Sequence, residues 1–340
     1  MSIFLGLYVF YGIFGAVLGT TVYVDGSTSC PCYGTSTHPF KTIQNGIDFA
    51  VLNRFSTVII RDGNYNPSTT ITVPLSDNLR NITSENGSKK TIINNYGFHV
   101  HNQNDGKPVT IQGFSIKVRS HSGVSNAGVQ LESPANIIDV NITCYDQMCY
   151  GIRMNDPGYN LVIANSVFNV TYRYNSYYSH AKPGYAIYYD SKQKNRNYIN
   201  LTNSIIMSGG INIASPNADV NIDGITFRFR CLGSCQNYYP AYISSLSTVN
   251  IQNSEFGGST YEPYYISGNT VSIGNSSMNY DFMGKGNYVY GHNVSIYNSV
   301  IKVQNDIGLY IQLNYSNGNS NEVYLYNNII KNAGNYGGGI

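Results

Sequence analysis

The sequence predicts an all-β fold: a parallel β-solenoid of single-stranded coils over residues 66–340, behind a strand-and-helix cap at 20–65. Three observations lead there. "TVNIQNSEF" at 248–256 returns as "TVSIGNSSM" at 270–278, and related copies run from "VTIQGFSI" (109–116) to "VYLYNNII" (323–330). Steps between copies are mostly 21–29 residues, with one of 38 between Ile163 and Leu201, and this period with two-residue apolar alternation is the mark of a solenoid. A second, shorter motif lies between the copies, as in "GVQL" (128–131), "GIRM" (151–154), "GINI" (210–213) and "GLYI" (308–311). The composition agrees: 44 Asn and 34 Gly suit tight turns, while 32 Tyr among many Ile and Val suit strands. A Leu-dominated consensus with one helix per repeat, as leucine-rich repeats require, is absent.

In chain order, residues 1–19, "MSIFLGLYVFYGIFGAVLG", are apolar and carry no charged side chain. They read as a secretory signal peptide, with an uncleaved anchor as the alternative. Six Cys fall in three close pairs, which suits an oxidising compartment. Cys144 with Cys149, and Cys231 with Cys235, enclose short loops and are candidate local disulfides. Cys30 and Cys32 are too close for easy disulfide geometry, so they are expected to pair elsewhere or stay reduced. Zinc is the runner-up for these pairs, but no His stands beside them at ligand spacing. Candidate glycosylation sequons begin at Asn81, Asn86, Asn141, Asn169, Asn200, Asn293 and Asn314. A secreted or cell-surface location follows as the expectation.

Residues 21–65 hold a strand, a Gly-rich loop, a helix with Ile43, Ile47, Ala50 and Val51 on one face, and a strand ending in "DGNY". An amphipathic helix of this kind can cover the otherwise bare end of a solenoid core. In each coil that follows, a long strand carries inward Val and Ile, Asn or Gly makes a turn, and a short strand and variable loop close the circuit. The turn position holds Asn165, Asn203, Asn253, Asn275, Asn298 and Asn327, with Gly at 113 and 224. These residues accept left-handed backbone, and their stacked amides are expected to bond from coil to coil as a ladder.

Tyr23, Val24, Gly34, Pro39, Phe40, Thr42, Ile43, Gln44, Ile47, Gly63 and Tyr65 match a "YV…G…G…PF-TIQ-AI…G-Y" opening. With the repeats, this resembles the pectin-lyase-like superfamily. The resemblance implies a right-handed parallel β-helix over nearly the whole chain beyond the leader. It implies no single activity. Members include pectate lyases, polygalacturonases, pectin methylesterases and surface proteins without known activity, and no catalytic motif of those enzymes transfers to this sequence. There is no Asp-Asp, and "GHN" (291–293) only partly echoes Gly-His-Gly.

Candidate chemistry therefore rests on columns. Gln130, Arg153, Tyr188 and Asn212 are expected to project from successive coils, flanked by Glu132, Asp156 and Asp190. Two coils would separate Glu132 from Asp190 by about 9.6 Å, at the edge of the inverting-glycosidase range. Asp139 and Asp223 are read as equivalent outward positions kept apart by intervening coils. Loops bearing Tyr177, Tyr178, Arg228, Arg230, Tyr238 and Tyr239 are candidates for sugar contact. Among six His, only His99 and His101 share a strand face, and no Asp, Glu or Cys is read as placed to complete a metal site. No metal or cofactor is expected.

Charged residues make up 11% of the chain, under half the usual level of about 25%, and the net charge of +2 gives no reason to expect nucleic acid. The expected function is an exported, non-catalytic β-helix that contacts glycans or proteins through its loops. A polysaccharide lyase or hydrolase is the alternative. The last stretch, "NAGNYGGGI" (332–340), stops where a short strand should start, so the sequence is expected to be truncated or that end to be covered by a protein partner.

Overall fold

A computed structural model describes residues 21–29, 32–103, 106–119, 127–145, 149–155, 159–170, 184–192, 195–230, 240–259, 264–280, 287–303, 309–313 and 321–332. These residues form a parallel β-solenoid with three sheets of twelve, eleven and ten strands and one α-helix. Every strand pairs in parallel with its counterpart on the next turn, the arrangement that stacks coils about 4.8 Å apart. The twelve-stranded sheet starts earlier than the repeats do, because Thr21–Val24, Thr57–Ile60 and Asn81–Ser84 already belong to it.

Each eight-residue motif turns a corner, so a coil holds three strands where the motifs alone suggest two. Thr248–Gln252 lies in the twelve-stranded sheet, Glu255–Ser259 in the eleven-stranded sheet and Tyr265–Ser267 in the ten-stranded sheet. Alternation then aims every second side chain inward. Val220, Val249, Val271 and Val294 stack in register, as do Ile222, Ile251, Ile273 and Ile296, and all are buried.

The corner needs a left-handed residue. Asn165, Asn203, Asn253, Asn275, Asn298 and Asn327 all have φ between 46° and 52°, and Gly113 and Gly224 take the same place. Asp139 joins this column at φ 50°, while Asp223 pairs with Gln252 one position earlier, so the two aspartates are not equivalent. Both carboxylates serve the frame: Asp139 accepts from Ser88, and Asp223 accepts from the Asn253 amide at 2.8 Å.

The ladder expected in the asparagine amides runs mainly through the next residue. The bend leaves these Asn side chains exposed, and one neighbouring pair, Asn327 to Asn298, is bonded amide to amide at 2.9 Å. The following serines, Ser166, Ser204, Ser254, Ser276 and Ser299, are buried. Each donates its hydroxyl to the carbonyl two residues back, at 2.6–2.8 Å. The same oxygens accept a backbone N–H from the preceding coil, at 3.0–3.2 Å: Val140, Ser166, Ile225, Ser254 and Ser276 are the donors. One hydroxyl thus satisfies two buried backbone groups at each of these five corners.

Ser276→Ala leaves the Ser254 N–H and the Gly274 carbonyl without that partner. It is expected to cost about 1–3 kcal/mol in urea unfolding. The half-buried outward Ser295→Ala serves as the control.

Helix α1 (Ile43–Leu52) begins at Thr42, whose side chain accepts from the Asn45 N–H. It buries Ile43, Gly46, Ile47 and Ala50 and packs on the first strand, where Gly46 lets the helix approach Val22 and Val24. Val51 is half-buried on the same side. At the other end of the described chain, Val323, Leu325 and Ile329 are exposed.

Cys144 and Cys149 form the local disulfide expected of them, with Cα atoms 6.0 Å apart. Cys32 is disulfide-bonded too, so it does not stay reduced. The candidate disulfide between Cys231 and Cys235 is not among the described bonds, because both Cys231 and Cys235 lie outside the described residues. The segment 1–19 lies outside them as well.

Candidate functional site

The outward face of the ten-stranded sheet gathers most of the polar chemistry. Its register runs Thr72, His99, Gln130, Arg153, Tyr188, Asn212, Tyr242, Tyr265, Tyr288 and Tyr310, one residue per turn. Gln130, Arg153, Tyr188 and Asn212 therefore do share a column, and it extends in both directions. The Arg153 guanidinium sits over the Tyr150 ring, 5.0 Å from its centroid. Tyr188 donates to Asp190 at 3.2 Å, and burial first, then the Asp190 charge and hydrogen bond, push its phenol up to about 12.

Beyond Asn212 the column is aromatic. Tyr242 and Tyr265 stack with centroids 4.8 Å apart and planes 11° from parallel. Tyr290 stands 5.0 Å from Tyr265, and Tyr288 lies 5.3 Å from Tyr310. These rings are half-buried, Tyr310 exposed, so they pack edge and face against each other while presenting one side to solvent.

At the other end of the column the structure corrects the reading of the histidines. His99 and His101 leave strand Phe98–Val100 on one face, with ring centroids 4.1 Å apart. Glu132 completes them: His99 Nε2 lies 2.8 Å from Oε1 and His101 Nδ1 3.0 Å from Oε2. Strand Ala127–Leu131 pairs onto Phe98–Val100 with Gln130 opposite His99, which brings Glu132 alongside His101. The signal was present in the sequence, since "FHVH" (98–101) and "VQLE" (129–132) share an apolar-polar pattern, but the short-strand series began one coil too late to align them.

The site is held from behind. Gln103, buried, donates to the His101 carbonyl at 2.7 Å and to that of Pro74 at 3.3 Å, and accepts from the Ser76 N–H at 3.0 Å. The His101 N–H bonds Val73 O at 3.0 Å and the Glu132 N–H bonds Val100 O at 2.9 Å. Partial burial pushes the Glu132 carboxyl up, but the hydrogen bonds from His99 and His101 and their charge outweigh it and hold it below the ordinary glutamate value. Tyr159, bonded to Asn102 at 3.1 Å, stands near enough for the Glu132 charge to add to the rise that burial gives its phenol.

Other predicted residues are dispersed. Glu132 and Asp190 lie two turns apart on this face. Arg228 is exposed in the eleven-stranded sheet, opposite Gly257 and 3.9 Å from the Glu255 carboxylate, and Arg230 belongs to the same strand, so neither shares the column. Asp156, Tyr177, Tyr178, Tyr238, Tyr239 and Asn314 lie outside the described residues, as Cys231 and Cys235 do. Of the sequon asparagines, Asn81, Asn86, Asn141, Asn169 and Asn293 are exposed and Asn200 is half-buried. A cleft of about 480 Å³ opens beside the start of α1, between Lys41–Gln44 and Asn64–Ile71. Lys41 and Tyr65 are its titratable side chains, which offers little chemistry compared with the sheet face.

Comparison with protein-family models, with curated proteins and with solved structures finds no match in any of the three.

Proposed function

We propose that the chain is an exported, non-catalytic member of the right-handed, pectin-lyase-like β-helices, with α1 as its cap, and that it binds glycans on the ten-stranded sheet. The observation that carries this reading is the tyrosine column through Tyr242, Tyr265, Tyr288 and Tyr310. Half-exposed phenol rings at one-turn spacing offer flat apolar faces for the C–H side of sugar rings and hydroxyls for their rims. Asn212, Ser244 and Ser267 beside them add short polar groups without charge. A polymer with a repeating unit suits such a surface better than a small compact ligand does.

The lyase or hydrolase alternative draws on Glu132 and Asp190, set two turns apart around Arg153, about 9.6 Å along the axis. Both carboxylates already accept side-chain hydrogen bonds, Glu132 from two imidazoles and Asp190 from Tyr188, which weighs against a free acid-base pair.

Affinity electrophoresis through gels of neutral and acidic polysaccharides tests the proposal. The protein is expected to be retarded by at least one of them, and Tyr242→Ala/Tyr265→Ala is expected to weaken binding about tenfold, at roughly 0.5–1.5 kcal/mol per aromatic contact. Retardation that the double variant leaves unchanged would remove the tyrosine column as the binding surface. Oligosaccharide cleavage lost in Arg153→Ala and Asp190→Ala would establish the alternative.

A further inference from the structure

We propose that His99, His101 and Glu132 form a binding site for a late first-row divalent cation of the Zn²⁺ type, with at least one coordination position open to solvent or to a ligand. Among the described residues this is the one group of three His, Cys, Asp or Glu side chains able to share an ion, and its ligand atoms all lie within 4.8 Å of one another.

The donor set decides the class of cation. Two imidazole nitrogens and one carboxylate oxygen suit zinc, copper, nickel or iron, whereas Ca²⁺ and Mg²⁺ demand an all-oxygen shell. Tetrahedral zinc, with bonds of about 2.1 Å, needs ligand atoms about 3.4 Å apart. Here the carboxylate oxygens stand 2.8 and 3.0 Å from the two nitrogens, so the carboxylate has only to withdraw by about half an ångström while the rings turn toward the ion. The side chains are 23%, 41% and 42% exposed, which leaves a route for the cation and room for a water on it.

Rigidity makes the cluster more than a chance encounter of surface groups. His99 stands on one of two paired strands, His101 and Glu132 directly follow the ends of those strands, and the His101 backbone is pinned on both sides by Val73 and the buried Gln103. Supporting bonds of this kind hold ligands in place before the ion arrives, which lowers the cost of binding. The disulfides Cys144–Cys149 and that of Cys32 keep those thiols from competing for the metal.

Calorimetric titration of untagged, chelator-stripped protein with ZnCl₂ is the test. One equivalent is expected to bind and to raise the melting temperature. His99→Ala, His101→Ala and Glu132→Ala are each expected to weaken binding at least tenfold and to abolish the thermal shift, while Gln130→Ala in the same column leaves both unchanged. His99→Gln and His101→Gln, which keep hydrogen-bonding side chains, cover the case in which an alanine variant does not fold. An excess of Ca²⁺ is expected not to displace the zinc. Absence of saturable binding, binding retained in the His and Glu variants, or displacement by Ca²⁺ would each overturn the assignment.

Discussion

Phe227→Ala is expected to cost about 3–5 kcal/mol, the range for emptying an aromatic site in a packed core. Phe227 is fully buried where two successive coils meet, with ring centroids 5.8 Å from Phe256, 6.0 Å from Tyr264 and 6.4 Å from Phe229. Phe227 and Phe256 are register partners on paired strands that stack at fixed spacing, so the cavity cannot close by sliding one coil toward the next. In a solenoid each coil touches only its neighbours, and the damage is therefore expected to stay local. Amide exchange should accelerate across Ala218–Tyr280, while Val109–Gln112, several turns away, keeps its protection. Uniform loss of protection along the stack would show instead that the coils unfold as one unit.

Gly97→Ala is expected to be comparably severe, at about 3 kcal/mol or more, through the opposite fault of overpacking. A Cβ at Gly97 would collide with the carbonyl oxygen of Gly128 and come within 2.5 Å of that of Ala127. Both obstacles are backbone of the neighbouring strand, so no rotamer change relieves them. The strand must move, and the strand that begins at Phe98 carries His99. Chemical denaturation should report the lost stability, and a shift in the His99 ring resonances should report its separation from Glu132. Gly97→Ala with the stability and resonances of the parent chain would contradict the close approach.

The repeats made most of the frame legible because a solenoid copies its core at every turn. Val249, Ile251 and Asn253 could be assigned to core and corner from their equivalents alone, and the register agrees. Where the pattern weakens, the repeat no longer fixes the register. "FHV" (98–100) has a short strand's pattern but lies before the first long-strand copy at 109–116, so the repeat alone does not set its histidines beside Glu132. The serine after each Asn was visible as part of the repeat, yet nothing in its spacing says that its hydroxyl points inward while the asparagine amide points out. That depends on the left-handed corner, which reverses the side-chain alternation between one strand and the next.

The buried serines also bear on how such a chain can lengthen or shorten. Ser254 and Ser276 bond across 22 residues, Ser276 and Ser299 across 23, and Ser166 and Ser204 across 38. The bond is the same whatever length of loop intervenes, because it is made at one corner while the variable segments leave from others. A turn that runs from one such serine to the next thus begins and ends with a compatible half of the same joint, like a link in a chain. Loss or duplication of a segment cut from one such serine to the next would bring two matching halves together. The molecule could in this way change its length by whole turns without changing how any remaining turn is built.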